Sequence, residues 1–160
     1  MASAYVSKFG DWTKAGIILQ TLNTKLVPDF QALLYSNGDL ILQKMQSHID
    51  QQDLGWLPLS SSTVKNKGNS KIYVETGYLR NNLKVRKVKS PQNGFTVFVG
   101  ANAWDKHPTS GVSLSKLMIF LEYGTRNVPP RPLVRPTWEE VEPLVKTACR
   151  GLIESRCWGR

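Results

Sequence analysis

An α+β domain is what this sequence predicts. Three features carry that expectation: apolar residues at helical spacing across 11–50, two alternating segments joined by turn residues over 82–100, and a second helical stripe near the C-terminal end. In the first region Asp11 can cap a helix starting at Trp12, and Ile17, Ile18, Leu22 and Leu26 recur at helical intervals. Pro28 suits a first turn, so a second helical segment is expected near it. Phe30, Leu33, Leu34, Ile41, Met45 and Ile49 then form one stripe, with Ser36-Asn37-Gly38-Asp39 as a candidate break.

Residues 52–72 lack helical periodicity and hold Gly55, Pro58, a serine run, Gly68 and Asn69, which predicts a loop. Loops beyond about 12–15 residues are usually functional or disordered, and this one is longer. Trp56 and Leu57 can pin its start to the body or to a neighbour. Segments 82–89 and 94–100 read as a hairpin around Ser90-Pro91-Gln92-Asn93-Gly94. Phe95, Val97 and Val99 give one face; Leu83 and Val85 point opposite to Lys84 and Arg86; Val88 breaks the alternation and suggests a bulge. A polar loop over 101–112 leads to a short helix at 113–123, capped by Ser113 or Ser115 and closed by a left-handed Gly124. Residues 126–136 form a proline-rich arm. Thr137 and Glu140 read as the capping box of a last helix over 137–155, in which Val141, Leu144, Val145, Ala148 and Leu152 face inward and Pro143 kinks the helix or delays its start. With no repeat and no linker, 1–160 reads as a single domain.

The net charge of +9 is unevenly placed. Residues 65–89 carry Lys65, Lys67, Lys71, Arg80, Lys84, Arg86, Lys87 and Lys89 against Glu75 alone, net +7. Residues 1–64 total −1 and 137–160 balance. Clustered charge makes a local field and implies an anionic partner there. The longest apolar cluster, Ile17-Ile18-Leu19, is far short of the roughly 20 residues of a membrane span, and no secretory signal is visible. Cys149 and Cys157, on one helix, would lie about 12 Å apart and cannot bridge. A soluble protein made in a reducing cytoplasm is expected.

Catalytic signals are poor. His48 and His107 are 59 positions apart, and neither has metal-ligand spacing. His48 reads as a helix-surface residue. Asp29, Asp39, Asp50 and Asp53 read as a solvated face, and Glu122 is a single carboxylate beside a Tyr-Gly-Thr turn. No enzyme, cofactor or metal is expected. Contact residues are plentiful instead: Trp56, Trp104, Tyr123, Arg126, Arg131 and Arg135 fall in expected loops, and these residue types dominate interfaces. A Pro-Pro-Arg-Pro arm lacks donors, does not fold easily into a sheet, and can lie extended across a neighbouring copy at low entropic cost. Trp12 and Trp138 are expected at the core edge.

Several motifs follow one another in order: Trp56, Pro58, Leu59, Thr63, Lys67 and Gly68; then Thr76-Gly77-x-Leu79-Arg80; then Phe98-Val99-Gly100; then Glu122-Tyr123-Gly124-Thr125; then Pro129-Pro130-Arg131-Pro132-Leu133-x-Arg135-Pro136. In that order they resemble the tail-completion and neck proteins of long-tailed bacteriophages, the group of minor tail protein Z and the virion-morphogenesis proteins. The resemblance covers about residues 50–150, and Leu133 stands where that group usually has a large aromatic. It implies an α+β fold, a virion location at the neck or tail top, and a homo-oligomeric ring around the DNA channel. It also implies neighbouring head-completion, connector, tail-terminator or tail-tube proteins, with no membrane partner. A tail-terminator ring and a basic, sequence-independent nucleic-acid-binding module are the alternatives. On this reading Trp56, Leu57, Glu122 to Arg126 and Pro129, Pro130, Arg131, Pro132, Arg135 and Pro136 meet other subunits. Lys65, Lys67, Lys71, Arg80, Lys84, Arg86, Lys87 and Lys89 face phage DNA or a partner. Gly77 and Gly124 serve backbone geometry.

Overall fold

The structure is a computed structural model and describes residues 12–89 and 95–157. Helix α1, Trp12–Gln51, runs unbroken through both Pro28 and the Ser36–Asp39 segment. No second helix begins at Pro28, and the cap expected at Asp11 lies outside the described residues. The reason for Gly38 is packing, not helix termination. A Cβ there would come within 2.8 Å of a methyl of Val85 and one of Val97, so only a glycine lets the hairpin rest on the helix backbone.

That hairpin is β1, Leu83–Lys89, paired antiparallel with β2, Phe95–Ala101, in one two-stranded sheet. Pairing runs from Leu83 opposite Ala101 to Lys89 opposite Phe95 without interruption, and Val88 simply faces Thr96. The expected bulge is absent: a single register satisfies the whole ladder. The turn at 90–94 lies outside the described residues.

Two short helices interrupt the expected 52–72 loop and its continuation. Helix α2, Ser61–Lys67, is capped by the Ser60 hydroxyl, which accepts from the Thr63 N–H, and ends at left-handed Gly68. The serine run is therefore a helix start. Helix α3, Tyr78–Asn81, follows Gly77 and puts Leu79 in the core.

Helix α4, Leu114–Tyr123, buries Leu114 and Met118, so Tyr123 ends a helix instead of lying in a loop. Helix α5, Val134–Cys157, starts inside the expected arm and passes through Pro143 without a break. Thr137 is thus not a cap. It is fully buried within the helix, its hydroxyl donating back to the Leu133 carbonyl, while Glu140 pairs with Lys44. Helices α1 and α5 pack antiparallel. Glu140 meets Lys44 and His48 at one end, and Arg156 meets Asp29 at 2.7 Å at the other. His48 is consequently buried between Asp53 and Glu140, not at the helix surface. Trp138, expected at the core edge, is 44% exposed; the side chain of Trp12 lies outside the described set.

Met45, Ile49, Ile72, Tyr73, Leu79, Leu83, Ala101, Leu114, Met118 and Leu133 form one core between α1, the hairpin and α4. Nearly all described side chains of α1 before Asp29 stand in solvent, Ile17 included.

Candidate functional site

The proline-rich arm of residues 126–136, a strap that runs into the start of α5, is folded onto its own chain. Prolines supply no N–H, so a strap of them offers carbonyls and needs donors from elsewhere. This chain provides them. The Trp56 indole N–H donates to the Pro132 carbonyl at 2.7 Å, and the Tyr73 hydroxyl donates to the Arg131 carbonyl at 2.8 Å. Trp56 and Tyr73 pack ring to ring, 5.1 Å between centroids. Tyr73 has a positive φ of 64°, unusual for a bulky residue, and these two contacts hold it there. Burial pushes its phenol well above the ordinary range, with Glu122 adding to the shift, so it stays a neutral donor.

Arg131 points inward. It is 5% exposed, and its guanidinium donates to the carbonyls of Leu57 at 3.0 Å and Pro58 at 3.4 Å. Its N–H donates to the Leu121 carbonyl at 2.7 Å. The chain reaches it through Gly124, where φ is 76° and a Cβ would stand 2.8 Å from the Val128 carbonyl oxygen. That backbone is positive in φ but extended in ψ, not the left-handed closure the sequence suggests.

Glu122 closes the strap. Its carboxylate accepts from the N–H groups of Leu133 at 2.7 Å, Val134 at 2.9 Å and Arg135 at 3.0 Å. Those are donors that the start of α5 leaves unpaired, and a carboxylate is the favoured partner there.

The strap is therefore the correction to the donor-poor argument. Trp56, Glu122, Arg131 and Pro132, expected to engage other subunits, are engaged within the chain. The donors the strap lacks are supplied intramolecularly. Tyr123 and Arg126 remain exposed, as do the side chains of Leu57, Pro130 and Arg135.

Between the strap, α2 and α4 lies a cavity of about 460 Å³. Pro58, Leu59, Leu117, Leu121 and Pro129 give it apolar walls, and Lys67, Glu75, His107 and Arg131 bring charge or polarity to it. His107 is buried and stands 3.8 Å from Glu75, while its Nδ1 has no hydrogen-bond partner among the described residues. The Lys67 ammonium donates to the Lys71 carbonyl. Burial lowers its pKa, Glu75 opposes that shift, and Arg131 adds to it. Sequence reasoning missed this grouping of Glu75, His107 and Tyr73, because their spacing is irregular and only the fold joins them. No group of three or more potential metal ligands exists among the described residues.

The basic stretch does not form one wall. Arg80 is held by Asp50 through two bonds at 2.6 and 2.5 Å. Lys87 lies over the Tyr35 ring at 4.9 Å, on the helix-facing side of the hairpin. Lys84 and Arg86 occupy the other face, where Arg86 stands 3.9 Å from Asp105 and pairs in register with the half-exposed Phe98. Lys65 and Lys71 are exposed on and after α2. The side chain of Lys89 lies outside the described set. In comparisons with known proteins, no family model, no curated protein and no solved structure matched this chain.

Large apolar side chains are exposed elsewhere. Trp104 is 86% and Tyr123 80% exposed, and Leu57, Ile119 and Phe120 also reach solvent. Ile119, Phe120 and Tyr123 share the outer face of α4, turned away from the cavity that Leu117 and Leu121 line. No described helix is long and apolar enough to cross a membrane.

Proposed function

We propose that the chain is a structural virion protein of a long-tailed phage, forming a ring at the neck or tail top that joins tail to head around the DNA. The observation that carries this reading is the exposed apolar face of α4, with Trp104 and Leu57, on a chain whose strap is already satisfied internally. Apolar side chains exposed together mark assembly surfaces. A ring needs two different patches that meet on successive copies, and Trp104 and Tyr123 are candidates for them. The ordered motifs support the reading from the sequence side. Lys84, Arg86 and Phe98 make a basic, aromatic hairpin face suited to sequence-independent contact with DNA. No catalytic role is proposed.

The purified chain is expected to form closed rings by negative-stain microscopy, with mass by light scattering giving an integral copy number. Tyr123→Ser with Trp104→Ser should leave a folded monomer. A wild-type chain that stays monomeric while binding DNA with steep salt dependence would replace this reading with that of a nucleic-acid-binding module.

A further inference from the structure

We propose that the cavity behind the strap is a receptor for a carboxylate-bearing apolar peptide segment of an acidic partner protein. The charge inventory of the cavity points there. Arg131 is almost fully buried, bonded to two carbonyls, and no carboxylate lies within ion-pair distance of it among the described residues. A buried cation without a counter-ion is costly, and an anion entering beside it gains what the fold leaves uncompensated. Lys67 adds a second, partly desolvated cation. Glu75 is the one acid lining the cavity, and it stands beside His107. The cavity thus carries a surplus of positive charge, and among the described residues the buried Nδ1 of His107 is still without a partner.

The shape is that of a peptide-side-chain site. About 460 Å³ lies within the range of ligand pockets, roughly 300–1,000 Å³. Leu59, Leu117 and Leu121 offer an apolar seat, while the cations fix where a carboxylate must lie. The acid does not come readily from another copy of this chain. Asp29, Asp50, Asp53, Glu139, Glu140 and Glu142 are each already paired with a base. Asp105 stands 3.9 Å from Arg86, and Asp39 and Glu154 sit inside the long helices α1 and α5 and not in a segment free to enter a cavity. Glu122 is spent on α5. A chain of net +9 is complementary to an acidic partner. This deepens the assembly reading and rests on it only in taking the partner to be a protein.

The test is a titration of the ¹⁵N-labelled full chain with the probe acetyl-Ala-Leu-Glu-Leu-amide, its Gln counterpart, and octanoate. The Glu peptide should shift the amides of Lys67, Glu75 and Leu121 and bind about tenfold tighter than the Gln peptide, the equivalent of one charge-assisted contact. Lys67→Met, which leaves Arg131 and the strap intact, should reduce that ratio several-fold. The proposal is overturned if the two peptides bind equally, if neither moves those amides at millimolar concentration, or if octanoate binds while the peptides do not. Ring formation is read separately. Rings with an unresponsive cavity sink this inference alone, and a responsive cavity on a monomer sinks the ring alone.

Discussion

Removing the Glu122 carboxylate isolates what holds the strap. Three N–H groups at the start of α5 converge on it, but they are not equivalent. Val134 and Arg135 are exposed, so water replaces the lost acceptor there at small cost. Leu133 is fully buried, so its N–H is left without a partner. An unsatisfied buried donor costs about 1–3 kcal/mol. Loss of a negative charge at a helix N-terminus adds about 0.3–1 kcal/mol. Glu122→Ala should therefore destabilise the fold by about 2–3 kcal/mol, or roughly 5–10 °C in Tm for a domain of this size. Glu122→Gln keeps an acceptor for the buried Leu133 N–H and loses only the charge, so it should lose about 0.3–1 kcal/mol and retain most of that stability. Urea unfolding followed by circular dichroism, with equal m-values, measures both. If Glu122→Ala unfolds within about 0.5 kcal/mol of the parent, as an ordinary surface substitution does, the strap is held by something else.

Three further outcomes are expected. Gly38→Ala gains about 1 kcal/mol of helix propensity but overpacks two stiff valines, which costs about 1–3 kcal/mol, so the net effect should be destabilising and partly relieved by Val97→Ala; an equally stable Gly38→Ala in the same urea assay would contradict the close approach. Asp50, Asp53 and Glu140 are held below the ordinary carboxylate range by bonds from Arg80, His48 and Lys44 respectively. Groups lowered in this way add stability while ionised in the fold. That contribution is present above their unfolded pKa values of about 4 and is lost as pH falls through the folded ones. Urea midpoints should therefore drop below about pH 4.5, with a shallower drop in Asp50→Asn; an identical pH profile in that variant would remove the pair from the account. Lys84→Glu with Arg86→Glu should leave unfolding unchanged and lower the slope of log K against log salt for duplex DNA by about 2; an unchanged slope would clear that face of DNA contact.

The sequence shows those parts of the fold whose cause is local. The stripe through Met45 and Ile49 and the alternation of Val97 and Val99 each record their own element. Gly38 does not, because a glycine that ends a helix and one that admits a β-hairpin look alike in sequence. Thr137 and Glu140 mimic a capping box. The true cap of α5 comes from Glu122, on a different helix, and no spacing rule reaches that far. The charge run at 65–89 is plain as composition, yet strand alternation divides it between two faces and an ion pair removes Arg80. The cavity was illegible for the same reason. Lys67, Glu75, His107 and Arg131 meet only after four separate segments have been brought together.

One consequence reaches back to the motifs themselves. Of the ordered residues that carry the resemblance, Pro58, Leu59, Thr63, Lys67, Pro129 and Arg131 all line the cavity. Trp56 and Glu122 fix the strap that closes it. Within the chain these residues line a concave, cation-rich site and hold its wall in place. Of the exposed apolar side chains, Trp104 and Ile119 fall between those motifs, whereas Tyr123 and Phe98 belong to them. The buried and strap-holding motif residues, Arg131, Leu133, Trp56 and Glu122, are tied to one interior geometry, whereas the side chains on the outer face of α4 reach solvent.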